Sequence, residues 1–199
     1  MKMENEKRWK LLSASSLAVI AVLVIGIVVV YWMSSTTVIF VVRHGERDDT
    51  RSCTTPVPGG TPNPPLSAAG DERAIALRHT LEDAGVQAIY ASELCRTQQT
   101  VDDLASLLGL PVTSIDQHAP DNSGNVDDLV AQVIANNTGQ KVLIAGHSET
   151  VPLIVEKLGG GTIDPIGGSE FDNLYVITTM RWWFFKRTRL VRLKYGAPT

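Results

Sequence analysis

Val38-Ile39-Phe40-Val41-Val42-Arg43-His44-Gly45-Glu46 is the stretch on which the fold turns. Five consecutive apolar residues, rich in β-branched side chains, describe a strand buried on both faces, as in the interior of a parallel sheet. The strand delivers an Arg-His pair and a glycine to its carboxyl end. Open α/β sheets take their ligands in the crevice beyond that end. An imidazole beside an always-charged, five-donor guanidinium suits attack on a phosphoryl group, or a grip on one.

Working outward, the chain alternates. Asp48–Pro65 holds Pro56, Pro58, Pro62, Pro64, Pro65 and the pair Gly59-Gly60, so it is neither helix nor central strand and is expected to form a lid or wall. Ser67 caps a helix expected to run to Ala84, with Gly85 at its end. Strands follow at Gln87–Ala91, Val112–Ile115 and Lys141–Ala145, and helices at Leu94–Leu108, Val126–Asn136 and Thr150–Leu158. Leu174–Met180 and Thr188–Lys194 close the chain as a strand pair. This alternation predicts a three-layer α/β/α sandwich around a mainly parallel sheet, filling residues 38–199.

Two more strand ends then carry chemistry. Tyr90-Ala91-Ser92-Glu93-Leu94-Cys95-Arg96 puts Arg96 in the first turn of a helix just past a strand, and Lys141–Thr150 ends in Gly146-His147-Ser148-Glu149-Thr150. Both lie at the same sheet edge as Arg43 and His44. Two guanidinium groups and two imidazoles can converge there, beside the free N–H groups of helix N-termini.

These four segments, in this order, resemble the signature of the histidine phosphatase superfamily, the phosphoglycerate mutase-like fold. Arg43-His44-Gly45-Glu46 is similar to its box, Leu66-Ser67-Ala68-Ala69-Gly70 to its helix start, Ser92-x-Leu94-x-Arg96-x-x-Gln99-Thr100 to its second arginine motif, and Gly146-His147-Ser148 to its second histidine motif. The resemblance spans residues 38–195. It implies a phosphohydrolase with His44 as nucleophile, passing through a phosphohistidine that water hydrolyses. Arg43, Arg96 and His147 would bind the phosphoryl oxygens. The leaving-group acid is implied in the loop past the second arginine, where Asp121 stands 25 residues beyond Arg96. Glu149, two positions past His147, is the alternative. No cofactor is implied, and four histidines with two cysteines offer no zinc spacing. His79 and His118 lack converging partners and are expected at the surface.

Other classes fit less well. Gly-His-Ser-Glu-Thr approaches a serine-hydrolase elbow, but that fold needs a histidine after the serine, and none follows His147. A tethered module that binds a phosphorylated ligand without turnover is the alternative to an enzyme.

Charge and hydropathy place the domain. Residues 36–180 hold 8 basic and 19 acidic side chains, whereas 181–194 hold six basic ones and no acid. An acidic body with basic ends argues against nucleic acid as partner and for a membrane surface. Leu11–Met33 is a run of 23 residues without a charge, flanked by Trp9 and by Tyr31-Trp32. As a helix it would be roughly 34 Å long, against a hydrocarbon core of about 30 Å. A transmembrane helix over 11–33 is expected, with residues 1–10 as a cytoplasmic basic tail, 34–37 as a linker and the domain periplasmic or extracellular. The rival is a cleaved signal peptide, whose apolar region of about 7–15 residues is shorter than this run. The expected substrate is a phosphorylated small molecule or envelope component, and membrane lipid the expected neighbour. Outside the cytoplasm, Cys53 and Cys95, each near a pocket arginine motif, are expected to form a disulfide.

Overall fold

The computed structural model describes residues 16–26, 28–29, 34–54, 62–116, 123–182 and 185–199. The chain divides into two compact units, Met1–Ser35 with Arg181–Lys186, and Thr36–Met180 with Arg187–Thr199.

The larger unit is built on a six-stranded sheet, of which Ser34–Ser35 and the β5 and β6 ends within Arg181–Lys186 are counted with the smaller unit. Its strands are β1 (Ser34–Arg43), β2 (Ala88–Ser92), β3 (Val112–Ile115), β4 (Lys141–Gly146), β5 (Asn173–Trp182) and β6 (Phe185–Lys194), in the order β3-β2-β4-β1-β5-β6. The four strands β3, β2, β4 and β1 are parallel, with Arg43 opposite Gly146 in the register of β1 on β4. β5 and β6 form a hairpin at the other edge, crossed by a contact between the hydroxyls of Thr179 and Thr188 at 3.2 Å. The sheet is therefore mixed, parallel through its centre with an antiparallel hairpin added.

Helices cover both faces. Helices α1 (Ala68–Leu81) and α2 (Cys95–Leu108) lie on one face, α3 (Ser123–Asn136) and α4 (Thr150–Val155) on the other. Period-two alternation along β1 sends Phe40 and Val42 into the first core, with Leu77, Leu81, Val101 and Leu104. The same alternation sends Ile39 and Val41 into the second, with Val126, Leu129, Val133, Val151 and Ile154. A strand buried on both sides needs the unbroken apolar run that residues 38–42 supply.

Element ends differ from expectation in ways the local chemistry explains. Thr36 and Thr37, expected in a linker, are extended in β1, where the Thr37 hydroxyl accepts a hydrogen bond from the Gly139 N–H at 2.8 Å. Ser67 caps α1 as expected, its hydroxyl accepting from the Gly70 N–H. That helix ends at Leu81, before Gly85, which sits in the left-handed region at φ 73°. α4 continues as a single wide turn over Glu156–Gly160, stopped where Gly159 takes φ 89°.

In the smaller unit, residues 16–26 and 28–29 are helical, and Leu17, Val19, Ile20, Val22, Leu23, Val24, Ile25, Val28 and Val29 are all exposed. Among the described residues no helix is long and apolar enough to cross a membrane. The expected span, 11–33, falls partly outside them, as do Trp9, Tyr31 and Trp32.

Candidate active site

Because β2, β4 and β1 are parallel neighbours, their carboxyl ends share one edge of the sheet, and there the sequence places Ser92, Gly146-His147 and Arg43-His44. The ladder continues one step past β1, the His44 N–H donating to the Gly146 carbonyl at 2.9 Å. The His44 and His147 rings meet edge to face with centroids 5.3 Å apart. Arg96 enters in the first turn of α2, and Arg43, His44, Arg96 and His147 are all buried.

The protonation of His44 follows from its partners. Its Nδ1 lies 2.7 Å from the Gly45 carbonyl oxygen, which can only accept, so Nδ1 carries the proton and the neutral ring leaves a lone pair on Nε2. Burial, followed by the charges of Arg96, Arg43 and Arg47, pulls its pKa from 6.5 down to about 3, although the Gly45 hydrogen bond works the other way. His44 is thus an unprotonated nitrogen base at any physiological pH.

A similar count fixes His147. The Thr97 hydroxyl has one proton, and the Leu94 carbonyl takes it at 2.6 Å. The short contact between the Ser92 and Thr97 hydroxyls, also 2.6 Å, then has Ser92 as donor. With its own proton spent, the Ser92 oxygen is an acceptor for the Leu94 N–H at 3.3 Å and for His147 Nε2 at 2.9 Å. His147 therefore carries a proton on Nε2.

The two guanidinium groups are held differently. Arg43 Nη1 donates to the carbonyls of Gly167, Gly168 and Glu170 at 2.7, 3.0 and 3.0 Å, and its plane lies over the Phe171 ring at 4.1 Å. Its Nε, and the Nε and Nη1 of Arg96, are buried without a hydrogen-bond partner among the described residues. Burial, and next the charge of Arg47, lowers the Arg96 pKa to about 10, with Glu149 and Glu93 opposing. Burial also lowers that of Arg43, with Glu149 the strongest opposing charge. Desolvated guanidinium groups whose charges bear on a neutral imidazole, with a second imidazole against it, suit the binding of a tetrahedral oxyanion.

The supporting contacts hold the Arg-His-Gly turn from several sides. The Gly45 N–H donates to the Thr100 hydroxyl at 2.9 Å, and that hydroxyl donates to the Arg96 carbonyl, so the two arginine motifs are joined through one side chain. Gly45 and Gly70 pack backbone to backbone; a Cβ on Gly45 would sit 3.1 Å from the Gly70 carbonyl, and one on Gly70 would collide with the carbonyl oxygen of Glu46. Glu46 does not face the pocket: Arg73 grips it with two hydrogen bonds, 2.6 and 2.8 Å. Burial pushes its pKa up, but the Arg73 bonds outweigh that and leave it below the ordinary carboxylate value.

Cys53 and Cys95 form a disulfide with Cα atoms 6.5 Å apart, tying the proline-rich loop to the residue before Arg96. Asn63 doubles the tie, its carbonyl accepting from the Cys53 N–H and its side-chain oxygen from the Cys95 N–H, each at 2.8 Å.

The structure thus brings together Arg43, His44, Arg96 and His147. Asp121 and His118 lie outside the described residues. Glu149 is exposed at the start of α4, accepting from the Ser148 hydroxyl at 2.8 Å, and its charge reaches both Arg43 and Arg96. His79 is at the surface of α1, paired with Glu82. Ser92 and Thr100 are functional contacts the sequence quoted only as motif letters. Phe171 and the carbonyls of Gly167, Gly168 and Glu170 carried no signal at all. Among the described residues no group of His, Cys, Asp and Glu could hold a metal ion.

The histidine phosphatase superfamily (branch 1) matches residues 39–119, from β1 past the second arginine motif. The second histidine motif lies beyond that match. The fold is shared with solved structures over most of the chain. A mycobacterial hydrolase is 16% identical, covering 83% of this chain and 92% of its own, with a TM-score of 0.60. A mycobacterial glucosyl-3-phosphoglycerate phosphatase is 17% identical over 81% of this chain and 99% of its own, at 0.57. A Nakamurella multipartitia chain assigned as a phosphohistidine phosphatase is 20% identical over 82% and 97%, at 0.53. None of the curated proteins matches.

Proposed function

We propose that this chain is a metal-independent phosphatase that works through a phosphohistidine on His44, and that residues 11–33 anchor it in a membrane with the domain outside the cytoplasm. The matched superfamily and the phosphatases among its structural neighbours support a phosphatase. The observation that carries the mechanism is the neutral His44, its Nδ1–H spent on Gly45, held in reach of the charges of Arg96 and Arg43, whose buried Nε groups have no hydrogen-bond partner among the described residues.

In the first step Nε2 attacks phosphorus, the N–P bond forms and the bond to the leaving oxygen breaks. Arg43 and Arg96 neutralise the charge on the three equatorial oxygens, and His147, its Nε2–H given to Ser92, donates to them from Nδ1 as the imidazolium that the dianionic phosphoryl group favours. A carboxylic acid gives its proton to the leaving oxygen. In the second step the resulting carboxylate takes a proton from water, which attacks phosphorus and frees His44. The sequence offers Asp121 for that acid. The influence of Glu149 on both guanidinium groups favours Glu149 as a second reading. The substrate class is a phosphate ester or anhydride of a small molecule or an envelope component. Exposed apolar side chains along residues 17–26 and 28–29 support the anchor, since such a surface is unfavourable in water.

Turnover of an aryl phosphate tests the reading. His44→Ala is expected to abolish turnover and the acid-labile phosphoenzyme with the fold intact; retained activity would refute the mechanism. A bound but unturned aryl phosphate in the unaltered chain would instead support the binding-module alternative. Glu149→Gln and Asp121→Asn are compared with an ester and an anhydride. The true acid loses about 10²-fold or more on the ester, far less on the anhydride, and the basic limb of the pH profile goes with it.

A further inference from the structure

We infer that the outer face of the β5–β6 hairpin is a docking surface for an anionic lipid bilayer. Thr178 and Met180 of β5 and Arg187, Arg189 and Val191 of β6 line one shallow groove. Because alternate residues share a face, Leu193 extends it. Met180 is 56% exposed, and Val191 and Leu193 are about as open. An apolar strip of this kind on a soluble surface marks an interaction site. Arg187 and Arg189 are exposed within it and have no ion pair among the described residues, whereas Arg192 and Lys194, on the opposite face of the strand, reach Asp164 and Asp172.

The charges name the occupant. Residues 181–194 carry six cations and no acid, while 36–180 carry the 19 acidic side chains already counted. A two-fold contact of the strip with itself would set cation against cation. An anionic headgroup layer offers counter-charge to the arginines and an apolar boundary to Met180, Val191 and Leu193. The hairpin's tip has the same character, since Trp182 and Phe185 stack with centroids 6.5 Å apart and both are exposed. That tip shares a compact unit with Met1–Ser35, the segment holding the uncharged run. This last point rests on the proposed anchor; the groove does not.

Hydroxyl-radical footprinting of the full chain tests it, with phosphatidylcholine vesicles and with vesicles that also contain phosphatidylglycerol. Oxidation of Met180 is expected to fall about threefold or more with the anionic lipid relative to the neutral one. Arg187→Glu with Arg189→Glu should erase that difference while aryl phosphatase turnover stays unchanged; Arg187→Gln with Arg189→Gln replaces it should the first pair misfold. Equal oxidation in both lipids overturns the inference. So does protection that rises with protein concentration without vesicles, which would make a second copy the occupant. Flotation on neutral vesicles separates the two readings. A chain that floats without headgroup-specific protection keeps its anchor and loses this surface; one that fails to float, yet is protected by anionic lipid, does the reverse.

Discussion

Ser92 shows how much a single hydroxyl can decide. Its oxygen is forced into the acceptor role because Thr97 has already given its proton to the Leu94 carbonyl, and this sets the proton of His147 on Nε2. Ser92→Ala removes the acceptor and frees the ring to change tautomer or turn. A drop in kcat of about tenfold, with KM little altered, is expected, along with a shift of the His147 Nε2 resonance in ¹⁵N NMR; Ser92→Thr should restore both, as it keeps the hydroxyl. Identical spectra for wild type and Ser92→Ala would show that Ser92 does not set the tautomer. His44 has a counterpart in stability. Its folded pKa, about 3, lies below the ordinary 6.5, so the unfolded chain binds the extra proton first. This group therefore costs no stability above pH 6.5 and progressively more as the pH falls from there toward 3.

The Arg-His-Gly turn crosses the start of α1 backbone to backbone, with no room for a Cβ on Gly70. Gly70 lies in the first turn of that helix, where alanine would ordinarily stabilise by about 0.5–1 kcal/mol. Here a Cβ meets the Glu46 carbonyl, which also accepts hydrogen bonds from the Ser67 N–H and hydroxyl. Gly70→Ala is therefore expected to lower stability by about 1–3 kcal/mol and to lower kcat/KM with it, as the displaced Glu46 drags the Gly45 carbonyl from His44. Urea unfolding and aryl phosphate kinetics on one preparation check both; a stabilised variant would show the close approach to be slack. The elements themselves were legible in the sequence because each strand that ends at the site is an unbroken apolar run closed by Arg-His, Ser or Gly-His. Their ends were less so. β1 reaches back to Ser34 because polar threonines can still pair at the margin of a sheet, and nothing in composition separates that from a linker. The grip on Arg43 was invisible for a different reason: it is made by main-chain carbonyls of Gly167, Gly168 and Glu170, and main-chain groups leave no letter to read.

Across the molecule, long-range ties converge on the edge where the motifs meet. The Cys53–Cys95 disulfide spans 42 positions, and a cross-link over a loop of that length stabilises by about 2–4 kcal/mol, chiefly by restricting the unfolded chain. Cys53→Ser with Cys95→Ser should lower the urea midpoint accordingly. Since Cys95 adjoins Arg96, the KM for phosphate esters should rise as well; a change in stability with KM untouched would confine the cross-link to scaffolding. Motif order carried the global layout because three of the four short segments close parallel neighbouring strands, whose carboxyl ends share one edge. The pairing of Glu46 with Arg73 was hidden by the same proximity, since a carboxylate inside a catalytic box looks catalytic until its partner is seen.

Arg73 holds more than Glu46. Its Nη1 also reaches the carbonyls of Tyr195 and Ala197, while the Thr199 hydroxyl accepts from the Phe171 N–H and the Thr199 N–H meets Asp172. The final residues are thus stitched to the box on one side and to the platform under Arg43 on the other. An affinity tag or reporter fused after Thr199 pulls on both stitches at once. A laboratory that purified the chain that way could record a sluggish enzyme and blame the substrate, when the handle was at fault.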